Sequence, residues 1–465
     1  SCYDAVVHSL SKVCFDDDCS AACIYHICCR FHYCEFLGAK EIQSTLVQWG
    51  MNRNYIGSTE EFFKSQKVLS ALKLRLGWGI TGQQEFGEDY AAIQYSEISQ
   101  DPTNQYPLGG GDYYFPVKPH AFNPALKWEE TTTYNVGLDF GFLRGRINGS
   151  VDAYYRQTND LISYVNIPLG ANFSNYVYQN IGSMENKGVE LVATSRKKIG
   201  DFYYQVSANW TMNKNKVLSL GHENAPIIKE ASYEGAYYIT KVGHPVGCYY
   251  LLVQDGVFHD QTEIDNYPHF ESARPGDFKF VDADGDGVME KDEDRVIVGN
   301  YMPEFYYGFG FELGYKGWSL DASFQGVYGN EILNLEKRYL SNVTASSNMM
   351  RETLQRWPHG EINRASRSTT GENGACTSTH HLEDGSYLRL QNLSLSYTFP
   401  NKWLKKAKIS NMRLYIQGSN LFTFTNYSGY NPEVNKRADD ALRPGEDYCS
   451  YPLSRTFSIG LNFNM

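Results

Sequence analysis

The sequence predicts an all-β fold, namely the strands of a transmembrane antiparallel β-barrel with long loops on one side. Three observations predict it. Apolar and polar residues alternate with a period of two over runs of about 9–13 residues, the length that a tilted strand needs to cross a bilayer. Aromatic residues stand at the ends of these runs, where barrels form interfacial girdles. Turns of a few residues alternate with long polar stretches, as short inner turns and long outer loops would.

The strands follow one another in hairpins. Leu72, Leu74 and Leu76 open the first alternating run. Tyr134 to Phe142 and Ile147 to Tyr155 then form a pair joined by a turn at 143–145. Further runs with the same period lie at 189–193, 204–210, 307–315, 318–324, 393–399, 414–418 and 457–465. The long polar stretches 83–130, 213–303 and 330–385 are the expected outer loops.

Composition limits the function classes. The net charge of −11 argues against a nucleic-acid partner, which needs clustered Lys and Arg. Mean hydropathy is −0.46 and no stretch of about 18 apolar residues occurs, so no transmembrane helix is predicted. Only alternate residues of a barrel strand face lipid, so low hydropathy fits the prediction. The chain opens without a charged and apolar leader, and a secretory signal is expected to be missing or cleaved.

Cysteine usage divides the chain near residue 55. Seven of the ten cysteines precede residue 35, namely Cys2, Cys14, Cys19, Cys23, Cys28, Cys29 and Cys34. Their spacings match no zinc pattern with paired C-x2-C units. We interpret residues 1–55 as a foreign segment, an artefact of a misread or fused 5′ end, or as disordered, with a genuine Cys-rich module as the alternative. Residues 56–465 are the predicted barrel portion.

Several strings of the second region resemble one family. They are Leu72 to Gly82, Leu126 to Glu129, Asn186 to Leu191, Pro275 to Phe280, Gly385 to Leu390, Asn420 to Thr423 and Tyr430 to Glu433, followed by the closing strand. With these strings in this order, the chain resembles the C-terminal portion of SusC/RagA-type TonB-dependent receptors. The family's plug, TonB-contacting segment and first barrel strands have no counterpart in the sequence. We therefore interpret the chain as a fragment of a transporter. A partial barrel leaves two unpaired strand edges, so the fragment alone is not expected to form a closed pore.

The resemblance implies the function of the intact receptor. It would import oligosaccharides or peptides across the outer membrane of a Gram-negative bacterium, in contact with outer-membrane lipid. Its implied partners are a SusD-like surface lipoprotein and, through the missing N-terminal part, the TonB complex. The implied mechanism is gated transport without covalent chemistry, so the protein is not expected to be an enzyme.

The sharpest local motif is an acidic loop at 282–293. Asp282, Asp284, Asp286 and Glu293 supply carboxylates, Val288 a backbone carbonyl, and Glu290 a carboxylate that acts directly or through water. This spacing fits the twelve-residue calcium loop, with Gly287 at its sixth position, where the tight turn requires glycine. Asp294 replaces Glu293 if the register slips by one residue. The flanks do not look like paired helices, so we predict a structural calcium site and keep a solvated acidic turn as the alternative.

The sequence offers little support for a catalytic site. The sequence has no G-x-S-x-G elbow and no H-E-x-x-H pair. A calcium-stiffened surface β-protein for adhesion and an outer-membrane hydrolase remain as alternative functions, although no nucleophile can be nominated for the latter. The adjacent His380 and His381 are expected to be solvated in a polar loop. Tyrosines between Tyr233 and Tyr250 could stack on sugar rings, but packing within the loop is the favoured interpretation.

Overall fold

One antiparallel sheet dominates the chain in a computed structural model. The structure describes residues 68–83, 121–166, 176–232, 235–340, 348–360, 377–405, 408–438 and 440–464, together with strand backbone at 24–27, 47–56, 96–98, 106–108, 112–114 and 117–119. The twelve strands of this sheet are β1 Ile24–Ile27, β2 Val47–Ile56, β3 Leu69–Gln83, β4 Glu129–Phe142, β5 Ile147–Asn166, β6 Tyr176–Ile199, β7 Phe202–Leu220, β8 Phe305–Tyr315, β9 Trp318–Tyr328, β10 Tyr387–Thr398, β11 Asn411–Thr425 and β12 Thr456–Asn464. Each strand pairs with the next one in chain order.

The connections alternate between short and long, as predicted. Residues 143–146, 200–201 and 316–317 close three hairpins at one end of the sheet. Leu143 and Arg144 have φ of 54° and 60°, the left-handed conformation of tight hairpin turns, whose twist matches that of the strands. The segments 84–128, 221–304, 329–386 and 426–455 make the long connections at the opposite end. We call this opposite end the outer end.

Several strands are longer than the sequence predicted. The strands β5, β6 and β7 contain 20, 24 and 19 residues. Backbone pairing continues past the apolar alternation, for example where Glu185 pairs with Lys216. Hydrogen bonding between backbones does not depend on side-chain polarity, so the ladder runs on beyond the predicted end. Residues 213–220 therefore belong to β7, although they were predicted to lie in an outer loop.

The sheet has one apolar and one polar face, which confirms the predicted alternation. Trp78, Val136 and Phe309 are exposed on the apolar face. On the polar face, the Arg75 guanidinium lies 2.8 Å from a carboxylate oxygen of Asp139 and 2.8 Å from one of Asp152. Among the pairings of the described strands, none joins β1 to β12. The sheet is therefore open at these two edges.

The outer connections fold into a packed body rather than into solvated loops. It contains the strands Ile227–Glu230, Tyr237–Thr240, Cys248–Leu251, Gln254–Val257, Phe278–Phe280, Val296–Gly299, Glu331–Asn334, Leu382–Asp384 and Glu446–Asp447. Its helices are α1 Gln261–Asp265, α2 Leu335–Leu340 and the 3-10 helices His222–Asn224, Arg351–Gln355 and Thr379–His381. A further helix, α3 Asn401–Leu404, lies between β10 and β11. Pairs of short strands also occur at Ser96–Ile98 with Val117–Pro119 and at Tyr106–Leu108 with Asp112–Tyr114.

Apolar side chains from distant connections form the cores of this outer body. Tyr238 and Tyr249 are fully buried, and their ring centroids lie 5.4 Å apart. Leu333 and Leu335 of another connection pack into the same cluster. This confirms the packing interpretation for Tyr238 and Tyr249, whereas Tyr233 lies outside the described residues.

Within the part of the chain that the structure describes, no helix is long and apolar enough to cross a membrane. The predicted boundary near residue 55 falls at the end of β2, which pairs with β3 from Val47 to Ile56. The interpretation of residues 1–55 as a foreign or disordered segment stays a prediction, and most of that segment lies outside the described residues.

Candidate functional site

The acidic loop closes on itself through hydrogen bonds from its own backbone. The two carboxylate oxygens of Asp282 accept the N–H groups of Gly285 at 2.7 Å and Gly287 at 2.9 Å. Both glycines have positive φ, 80° and 85°, a conformation that a side chain disfavours. Asp286 in turn accepts the N–H of Val288 at 2.7 Å. The sequence spacing thus produces a tight turn that points its carboxylates at one region.

Three carboxylates meet in this loop, and they come from Asp282, Asp284 and Asp294. Their nearest oxygens all lie within 4.8 Å of one another. Asp294 is 1% exposed, and its oxygens accept the N–H groups of Ala283 and Glu290, each at 2.7 Å. Oxygen donors at this spacing suit a hard divalent cation such as calcium. The sequence spacing predicts Asp294 as a ligand only if the register shifts by one residue, whereas the structure brings it to the centre of the group.

The other predicted ligands lie elsewhere in the loop. Val288 and Glu293 are exposed, as is Glu290. Glu290 and Glu293 border a separate cavity of about 740 Å³, which His269 and Phe270 also line. The predicted ligation by all six residues, Asp282, Asp284, Asp286, Val288, Glu290 and Glu293, stays a prediction. The geometry groups only the first two of them with Asp294.

Charge crowding in the acidic loop shifts the pKa of its carboxyl groups in both directions. Hydrogen bonds from the N–H groups of Gly287 and Gly285 lower the pKa of Asp282. The N–H of Asp286 also favours the ionised form of Asp284, but desolvation and neighbouring carboxylates outweigh it and raise the pKa of Asp284. The nearby carboxylate of Glu293 is the largest cause of the raised pKa of Glu290. A bound cation would relieve this repulsion.

A second polar arrangement joins β10 to the connection between β11 and β12. Arg389 and Glu433 form an ion pair, and Asn431 accepts a hydrogen bond of 2.8 Å from the same guanidinium. The hydroxyl of Tyr387 and the amide of Gln325 also donate to the Glu433 carboxylate, the latter at 2.7 Å. We call these five residues the Glu433 network. The sequence reasoning missed the network, although Arg389 and Glu433 stand in two of the strings that carry the family resemblance.

The adjacent histidines are not solvated, and the expectation for them was wrong. His381 is 5% exposed in the 3-10 helix Thr379–His381, where its Nδ1 accepts the N–H of Ser378 at 3.3 Å. The ring of His380 packs on that of Phe278, with centroids 5.1 Å apart. The polar composition of the segment suggested exposure, but the outer connections pack over it, so that His381 is buried and His380 is half-buried.

Burial changes the pKa of both histidines. Desolvation, aided by the nearby Lys337 ammonium, lowers the pKa of His380 to about 4. Desolvation also holds the pKa of His381 well below its usual value, with smaller contributions from His380 and Arg338. Both rings are therefore neutral at physiological pH, and they join two connections as packing residues. No metal-ligating group of three or more side chains includes either one within the described residues.

The family model and the curated relatives that match this chain are all described as TonB-dependent receptors. Residues 66–421 match the family model described as TonB dependent receptor-like, beta-barrel. The chain is 33% identical over 412 residues to TonB-dependent receptor SusC of Bacteroides thetaiotaomicron, which covers 87% of this chain and 38% of that protein. It is 31% identical over 433 residues to TonB-dependent receptor P3 of Formosa agariphila, covering 90% of this chain and 41% of that protein.

A solved structure agrees with these relatives. The structure of the RagAB peptide transporter superposes with a TM-score of 0.71 at 25% identity, covering 89% of this chain and 43% of that chain. The sequence thus spans about two fifths of the length of the curated relatives it matches. The family match at residues 66–421 spans β3 to β10 and the outer connections between these strands.

Proposed function

The chain belongs to the TonB-dependent receptor β-barrel family of the Gram-negative outer membrane, and from that premise we propose that the receptor containing it imports oligosaccharides or peptides. Import would be gated transport, coupled to the TonB complex and assisted by a SusD-like surface lipoprotein. A relative named as a receptor, SusC, and a structural neighbour named as a peptide transporter, RagAB, support the proposal. Neither name reports covalent chemistry.

The observation that carries the proposal is the two-faced sheet with a packed body at its outer end. An apolar face suits lipid, and a polar face suits a hydrated interior through which a polar solute passes. The Glu433 network fixes one of the outer connections directly to the polar face. The outer body therefore lies where a solute would enter.

An uptake experiment tests the proposal. A strain that lacks the gene of the intact receptor is complemented with it, and the entry of labelled oligosaccharides and labelled peptides is measured with and without a protonophore. We expect uptake of at least one class that requires both the receptor and the energised membrane. Binding at the cell surface without entry would contradict import and favour the adhesion alternative.

We further propose that the acidic loop holds a structural calcium ion. Asp282, Asp284 and Asp294 would supply carboxylate oxygens, because theirs are the ones that converge. The ion would offset the repulsion among these carboxylates and fix the loop against the outer body. No step of transport is assigned to it.

A further inference from the structure

A cavity of about 600 Å³ opens on the polar face, toward the outer end of β7, β8 and β9. Gly308 and Gly310 form its floor. A Cβ at Gly308 would lie 2.4 Å from Oδ1 of Asn209, and one at Gly310 would lie 3.1 Å from the carbonyl of Ala322. Glycine carries no side chain at these two positions, and the missing side chains leave the space of the cavity.

The walls of the cavity carry a ring and several uncharged polar groups. Tyr306 borders it with a side chain that is 47% exposed, so one face of its ring is available. Asn209, Gln325 and Gln391 contribute amide groups, each of which both donates and accepts hydrogen bonds. A sugar ring presents C–H groups on its face and hydroxyls at its edge, and such walls complement both.

The charges that line the cavity favour an uncharged ligand. Of the described residues that line the cavity, Glu433 alone is charged at neutral pH. Its carboxylate is already paired with Arg389 and accepts hydrogen bonds from Tyr387 and Gln325. A charged ligand would lose hydration on entry without finding an unpaired opposite charge. Peptide termini and acidic sugars would both meet this penalty, whereas a neutral sugar would not.

We propose that this cavity is a subsite for a neutral sugar unit of an oligosaccharide. The inference rests on the proposed import function and narrows its substrate from oligosaccharides or peptides to neutral oligosaccharides. Tyr306 stacks on the sugar ring, while Asn209 exchanges hydrogen bonds with its hydroxyls. The Glu433 network keeps the outer wall neutral and in place.

The test is calorimetric titration of the intact receptor in detergent. Five neutral probes are used, the hexasaccharides of maltose, cellobiose, xylan, mannan and inulin type, with hexagalacturonate and hexaalanine as charged probes. We expect at least one neutral probe to bind and both charged probes to fail. Tyr306→Ala and Asn209→Ala should each weaken that binding at least tenfold.

Matched controls lie on the same strands. Gln205→Ala is four residues from Asn209 on the same face of β7, and Tyr315→Ala is at the other end of β8. Both should leave the affinity within twofold. Tyr306→Phe keeps the ring and should restore most of the affinity, which separates loss of stacking from misfolding.

Three results would overturn the assignment: binding of a charged probe that depends on Tyr306, equal binding by wild type and both alanine variants, or no binding by any neutral probe. Failure of import is recognised separately, because a hexasaccharide would then bind to the receptor without entering energised cells. Receptor-dependent uptake of peptides together with any of the three results would leave import standing and remove the sugar subsite.

Discussion

Arg389 and Glu433 form an ion pair between two segments that lie 44 residues apart in sequence. The Arg389 side chain is 3% exposed and that of Glu433 is 35% exposed. Arg389 also donates to the Thr423 hydroxyl of β11 at 3.0 Å. The pair therefore ties β10, β11 and the connection before β12 together at the outer end of the sheet.

We predict that Glu433→Gln destabilises the receptor by about 2 kcal/mol, because Arg389 would be left buried without its charged partner. Thermal unfolding of the intact receptor in detergent measures the change. Asp440→Asn in the same connection is the control. Asp440 forms a local ion pair with Arg443 at 2.7 Å, and both side chains are about a quarter exposed, so the Arg443 guanidinium keeps access to water and the loss should be at most about 1 kcal/mol. Equal losses for the two variants would contradict a special role for the Glu433 network.

The calcium proposal predicts different effects for two neighbouring acids. Asp284→Asn should abolish calcium binding, because Asp284 belongs to the group of three convergent carboxylates. The loop itself should keep its fold, because the Asp284 carboxylate accepts a hydrogen bond from the nearby N–H of Asp286 and does not anchor the buried end of the loop. Glu293→Gln should leave calcium binding unchanged, because Glu293 is exposed and borders a different cavity. Calorimetric titration of the chelator-treated intact receptor with calcium chloride measures both effects. Loss of the calcium heat with Glu293→Gln would instead support the ligand set predicted from the sequence spacing.

The sequence predicted what depends on local periodicity. Side chains alternate between the faces of any strand, so Leu74, Leu76 and their neighbours identified β3 without knowledge of its partners. The acidic loop was recognisable for the same reason, because Asp282 and Gly287 act within one turn. Membership of the family followed from strings of this local kind.

Contacts across the outer body could not be predicted in that way. The burial of His381 depends on connections that are distant in sequence, and its own neighbours are polar. Asp294 lies one residue beyond the predicted loop, and its role depends on the N–H groups of Ala283 and Glu290 reaching its carboxylate. Strand ends were also missed, because backbone pairing continues where the apolar alternation stops.

The buried histidines predict a loss of stability in acid. Their pKa values are lower in the folded than in the unfolded state, so unfolding takes up protons below the ordinary histidine pKa of about 6.5. Stability is therefore complete above about pH 6.5 and falls as the pH drops toward the folded value. For His380, whose pKa is about 4, the loss at pH 5 should be about 2 kcal/mol. Protonation of His380 would also place a new charge beside Lys337, which the carboxylate of Glu383 opposes in part.

Thermal unfolding of the intact receptor at pH 7.5 and pH 5 measures this effect. His380→Phe should reduce the difference between the two pH values, because an aromatic ring that does not titrate replaces the imidazole against Phe278. His359→Gln is the control, since His359 is exposed. An unchanged pH difference in His380→Phe would show that other groups cause the acid sensitivity.

Among the described side chains of the sheet, tyrosine rings lie over glycines on neighbouring strands at four positions. The pairs are Tyr154 with Gly188, Tyr203 with Gly314, Tyr307 with Gly326 and Tyr415 with Gly460, and in each pair the two residues are direct partners in the ladder. A Cβ at Gly314 would lie 1.7 Å from a ring carbon of Tyr203. The hydroxyl of this ring donates to Glu312 at 2.6 Å, so moving the ring would also break a hydrogen bond. The glycines are thus required by the rings, independently of backbone conformation.

This arrangement predicts that Gly314→Ala destabilises the barrel by about 1–3 kcal/mol, the usual cost of forcing atoms into a filled site. Gly77→Ala is the matched control in β3, because among the described side chains a Cβ there would meet the Cβ of Asn135 at 3.7 Å, an ordinary contact. Alanine also has a slightly better strand preference than glycine, so Gly77→Ala should be neutral or mildly stabilising. Thermal unfolding of the two variants in detergent distinguishes them. Tyr203→Ala removes the ring and should relieve the clash, so Gly314→Ala should cost much less stability in the Tyr203→Ala background than in the wild type. An equal cost in both backgrounds would show that the ring is not the cause.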